Sequence, residues 1–151
     1  MEKNIQSAEQ LVDITAFDIV GDCARGHQFE LRNPDGSETG IKLTVLGSFA
    51  PEVIAHSARV TERLINEQRL AQRKGRVPKA PTIDELKAQN IDGAVVRVTG
   101  WAGVRQPFTP DLLRAALGRN PHWIAQVTDE SENLGNFGST SEPSSGDTSD
   151  S

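Results

Sequence analysis

Tyrosine is absent from this 151-residue chain, cysteine and methionine occur once each, and tryptophan occurs twice. A lone Cys23 excludes an intrachain disulfide. With aromatics at 5% of the residues, the interior has to be built mostly from aliphatic side chains. No apolar run approaches the roughly 18 residues needed to cross a bilayer. The N-terminus lacks the basic, apolar, small-residue order of a signal peptide, so the expectation is a reduced, soluble, cytoplasmic chain. At 36% hydrophobic, the sequence can fill one modest core but not two.

The net charge of −5 is unevenly placed. From residue 128 to the end there are six acids, Asp129, Glu130, Glu132, Glu142, Asp147 and Asp150, and no Lys or Arg. The first 127 residues are therefore near neutral. Residues 138–151 are Ser, Thr, Gly, Pro and acids without a large apolar group; they cannot offset their ordering entropy and are predicted to be a disordered acidic tail.

Residues 1–27 show only a short apolar patch, Ile14, Phe17, Ile19 and Val20, and read as an N-terminal extension ahead of a single domain over 28–137. From Gln28 the pattern alternates: Phe29 and Leu31, then Ile41, Leu43 and Val45, each separated by a polar residue. Asn33-Pro34-Asp35-Gly36 between the runs can reverse the chain, which predicts a β-hairpin over 28–46. Pro51 and Glu52 open a helix expected over 51–74, ended by Gly75. Its apolar positions, Val53, Ile54, Ala58, Leu64, Ile65 and Ala71, form one face.

Thr82-Ile83-Asp84-Glu85 has the form of a capping box and predicts a second helix, continuing through Val98 to Trp101. Gly93 and the β-branched Val95-Val96 and Val98-Thr99 would also suit a strand. Thr109-Pro110-Asp111 caps a short helix that Gly118 should stop, and Asn120-Pro121 starts another that fades near Glu130. The expected fold is thus α+β, an N-terminal hairpin packed against a mainly helical domain.

Sites of chemistry are sparse. Cys23 and His27 make a C-x3-H pair, half of what a structural zinc site requires, with only His56 and His122 as further partners. Asp84, Glu85 and Asp111 sit where helix capping already accounts for them. No glycine loop is followed by the Lys and Ser or Thr of a phosphate cradle. No catalytic, metal or cofactor residue is expected. Arg59, Arg63, Arg69, Arg73, Lys74, Arg76 and Lys79 are offset only by Glu62 and Glu67; they could meet phosphate or an acidic protein, or form a solvated face. The lack of aromatics among them disfavours nucleic acid.

In this order the fragments resemble the tail assembly chaperone family of long-tailed bacteriophages. The resemblance rests on Asn33-Pro34-Asp35-Gly36, Gly40-Ile41-Lys42-Leu43-Thr44-Val45-Leu46-Gly47, Gly100-Trp101-Ala102-Gly103-Val104, Pro107-Phe108-Thr109, Trp123-Ile124-Ala125-Gln126-Val127 and Asn136-Phe137. It covers residues 28–137 and leaves both termini without a counterpart. It implies a non-enzymatic protein of the bacterial host cytoplasm that holds the phage tape measure protein soluble during tail tube assembly and leaves before the virion is complete. The tail tube protein and a second copy of the chain are further implied partners. Trp101, Phe108, Trp123 and Phe137 are the candidate partner-binding residues, Trp123 the first choice for exposure, with core packing the ordinary alternative for all four. Rival expectations are a structural head, neck or tail accessory protein and, behind it, a single-stranded nucleic-acid-binding protein.

Overall fold

The computed structural model describes residues 10–138. The fold is α+β, as expected. A 3-10 turn at Ile14–Ala16 precedes α1 (Ile19–Arg25), β1 (His27–Arg32), β2 (Glu38–Val45), α2 (Pro51–Arg73) and α3 (Ile83–Arg97). β3 (Val98–Ala102), α4 (Pro110–Arg119), α5 (His122–Glu132) and a second 3-10 turn at Leu134–Phe137 complete it.

The hairpin forms where alternation places it, with Phe29 opposite Leu43 and Gln28 opposite Thr44. Its turn is held by the Asn33 amide donating to the Ser37 carbonyl at 2.8 Å, and Gly36 supplies a φ of 88°. The Asp35 carboxylate accepts from the Ser37 hydroxyl at 2.7 Å and amide at 3.0 Å. These bonds, the hydroxyl's foremost, hold the Asp35 carboxyl below its ordinary pKa.

The helix predicted to reach Trp101 stops at Arg97 instead, and Val98–Ala102 becomes a third strand, antiparallel to β2 in the order β1-β2-β3. The cause lies outside the segment: β2 offers a second edge, and Leu43 pairs with Trp101 and Thr44 with Gly100 along it. β-Branched Val98 and Thr99 adopt the extended backbone readily, and the Leu46 amide donates to the Arg97 carbonyl at 2.7 Å where helix becomes strand. Gly103, at a φ of 79°, turns the chain out of the sheet against the Gly40 carbonyl.

Three boundaries are corrected. Gly118 lies inside α4, which ends at Arg119 with the Asn120 side chain donating to the Ala116 carbonyl at 3.0 Å. α5 continues past Glu130 to Glu132. The packed unit begins within the predicted extension, because α1 places Cys23 in the core, where the Gly47 amide donates to the Cys23 carbonyl at 3.0 Å. The disorder predicted for 138–151 falls, beyond Gly138, outside the described residues.

The core joins Leu43 and Val45 of the sheet to Ala94 and Val95 of α3, Leu113 and Leu117 of α4, and Val127 of α5. One polar cluster crosses it. Ser131 Oγ donates to the Leu46 carbonyl at 2.7 Å and accepts from Arg97 Nε at 3.0 Å, while the Ser48 amide donates to the Ser131 carbonyl at 3.1 Å. Burial lowers the Arg97 pKa, and the nearby Glu132 charge opposes that shift. The cluster ties the start of α2 to the ends of α3 and α5.

Candidate docking surface

The four candidate aromatics are drawn into packing. Phe137 is buried, with the His27 ring edge-on at 6.0 Å. Trp101 and Phe108 meet at right angles, 5.1 Å apart, and Trp101 Nε1 donates to the Gln106 carbonyl at 2.8 Å. Trp123 is half-buried against the core, and its Nε1 donates to the Arg32 carbonyl at 3.2 Å. Gln126, one turn on, accepts from the Arg32 amide at 2.9 Å and donates to the Arg32 carbonyl at 3.1 Å. A side-chain amide thus substitutes for a neighbouring strand where β1 bulges between Glu30 and Arg32.

The other candidate chemistry disperses in the same way. Cys23 is fully buried, and His27 Nε2 lies 3.7 Å from Glu130 Oε1. Among the described residues no three His, Cys, Asp or Glu side chains gather as a metal site.

What packing leaves uncovered is a two-helix arm. Along the α2 stripe of Val53, Val60 and Leu64, exposure climbs from 2% at Val53 to 53% at Leu64. On α3 it falls from 71% at Ile83 to 0% at Ala94. Only the root of each helix therefore meets the body, and the outer part of α2, residues 74–82 and the start of α3 stand clear of it. Both ends at the tip are well closed. Past α2, the Gly75 φ of 68° lets the Arg76 amide reach the Ala71 carbonyl at 2.8 Å. Before α3, the Glu85 carboxylate accepts from the Thr82 amide at 2.8 Å, and Thr82 Oγ1 accepts from the Glu85 amide at 3.1 Å.

Between the helices runs an open groove of about 760 Å³, with Leu64, Leu70, Ala71, Val77 and Pro78 as its apolar lining. Leu64, Ile65, Leu70 and Val77 are all exposed, and Arg63, Lys74, Arg76 and Lys79 border the groove together with Glu67, Glu85 and Asp92. None of the seven cations from Arg59 to Lys79 makes an ion pair with another described residue.

Residue type pointed to the scarce aromatics and missed this arm, although length held a clue. At 1.5 Å per residue the 23 residues of α2 extend roughly 34 Å, while a body of this size has a radius of gyration near 13 Å. No family model, no curated protein and no solved structure matches the chain.

Proposed function

We propose that this chain is a non-catalytic tail assembly chaperone of a long-tailed bacteriophage. It works in the bacterial host cytoplasm, holds the tape measure protein soluble while the tail tube is built, and is absent from the finished virion. The observation that carries this reading is the arm, a groove with exposed leucines in its lining, bordered by four cations that pair with no other described residue and by the acids Glu67, Glu85 and Asp92. Such a groove suits an amphipathic helix with acidic borders, the form in which a long helical client exposes its stripes before assembly. The motif order over residues 28–137 supplies the phage context.

The magnitudes suit reversible cover. Fully burying an aliphatic side chain is worth about 1.5–3 kcal/mol, so four half-exposed ones contribute roughly 3–6 kcal/mol before the loss of rigid-body freedom. One arm binds weakly, and many copies along one long client hold it while each remains displaceable.

Co-expression with the tape measure protein tests the reading. The client should stay in the supernatant and co-purify, and Leu64→Gln with Leu70→Gln should return it to the pellet. A client that sediments equally with and without the chain refutes the proposal. Quantitative mass spectrometry of purified particles separates the rival structural role, since stoichiometric presence in mature virions requires a virion component. The cations also favour a single-stranded nucleic acid reading, but the arm has no Phe or Trp on which bases could stack. That reading requires binding that weakens steeply with salt.

A further inference from the structure

A second uncovered apolar surface lies in the segment before α1. Leu11 is 78% and Ile14 81% exposed, and Val12 and Phe17 are exposed beside them. The segment has local order of its own. Asp13 Oδ1 accepts from the Thr15 amide at 3.0 Å and caps the 3-10 turn, and Asp18 Oδ1 accepts from the Gly21 amide at 3.0 Å and caps α1. Its charge is opposite to that of the arm: residues 4–20 include Glu9, Asp13 and Asp18 and no Lys or Arg. Asp13 and Asp18 make no ion pair with another described residue.

We propose that the leading segment of one copy docks in the α2–α3 groove of a second copy. Leu11, Ile14 and Phe17 then meet Leu64, Leu70 and Val77, and the acids face Arg63, Lys74 and Arg76. Other occupants fit less well. Two arms packed α2 on α2 would oppose the seven cations and two acids of residues 59–79 to the same set, a net repulsion. Residues 139–151 are acidic but contain no large apolar side chain to fill the groove. The chain's own leading segment does not cover its arm, and both surfaces stay exposed. Because the two patches differ, the contact is head-to-tail and leads to rings or open chains. It concerns the same arm as the chaperone reading, but its readout is self-association and needs no client.

The test is sedimentation of the full chain over a range of concentrations, alongside two variants. One has Leu11→Gln, Ile14→Gln and Phe17→Gln, and the other has Arg63→Glu, Leu64→Gln and Leu70→Gln. The parent chain should associate with rising concentration, and each variant alone should do so at least about tenfold more weakly. Mixed one to one, the variants retain one intact segment and one intact groove, so they should form a heterodimer that grows no further. That rescue also shows that both variants are folded. A parent chain monomeric at every concentration overturns the proposal, whether its arm is bare, self-covered or reserved for another protein or a nucleic acid. A mixture that stays monomeric, or a variant that associates like the parent, overturns it equally.

Discussion

Replacing Ser131 with alanine removes one oxygen from a site with no solvent exposure, and the consequence can be worked from its partners. Ser131 Oγ donates to the Leu46 carbonyl and accepts from Arg97 Nε, so the variant leaves an acceptor and a half-buried cationic donor without that oxygen. A lost neutral hydrogen bond costs about 1 kcal/mol and one to a charged group about 1.5–3 kcal/mol, which together give roughly 2–4 kcal/mol. A domain of this size has about 5–15 kcal/mol in total, so the variant still folds but melts lower by on the order of 6–15 °C. Urea unfolding followed by circular dichroism measures the difference, and an unchanged denaturant slope assigns it to the folded state. Arg97→Met removes the other partner, so the double variant should be less destabilised than the two single effects combined. A Ser131→Ala loss under about 0.5 kcal/mol would refute the claim that this cluster holds α2, α3 and α5 together.

Glycine substitutions separate backbone preference from contact. Gly36→Ala, at a φ of 88° with open space around it, should cost about 1–2 kcal/mol, and Gly103→Ala should cost more, because its β-carbon would run into the Gly40 carbonyl oxygen; equal melting points would contradict this. Gln126→Ala should destabilise more than Trp123→Phe, since it removes both bonds to the Arg32 main chain, whereas Trp123→Phe removes one that Gln126 partly replaces. Asp35 should titrate below 3.8 by NMR, and Ser37→Ala should raise its midpoint. Since its folded pKa is depressed, its stabilising contribution is present above the ordinary carboxylate pKa and is lost as pH falls through the lowered one. On the arm, Leu64→Gln with Leu70→Gln should leave the denaturation midpoint almost unchanged; a large fall would mean that those leucines support the body.

Features decided by neighbours in sequence were legible before any coordinates. The Asn33-Pro34-Asp35-Gly36 turn, the Thr82 and Glu85 box and the stop at Gly75 each depend on hydrogen bonds within about five residues. β3 was not legible, because the choice between helix and strand for Val98–Ala102 depends on an edge of β2 more than fifty residues earlier. Gln126 could be quoted in a motif without its task being visible, since the Arg32 main chain that it serves is 94 residues away. The aromatics were natural candidates in so aromatic-poor a chain, and the same scarcity explains why packing uses them. For α2, periodicity identified an apolar face but not what lies opposite it, which is the body at Val53 and solvent at Leu64.

The arm disfavours the free chain in two ways that share one remedy. Its exposed leucines gain nothing from the body, and Arg69 with Arg73 sets like charges four residues apart on α2 with no acid three or four residues from either, destabilising that helix by about 0.2–0.5 kcal/mol, whereas Glu62 and Glu67 offset Arg59 and Arg63. A helix with so little tertiary support depends on its ends, which is why the Gly75 closure and the Thr82 capping box matter at the tip. An apolar surface bordered by acids would relieve both penalties at once, covering the leucines and neutralising the Arg69 and Arg73 pair. A purely apolar partner would leave the repulsion, and a nucleic acid would leave the leucines wet. The exposed leucines and the paired arginines therefore point to the same kind of occupant, an acidic amphipathic segment.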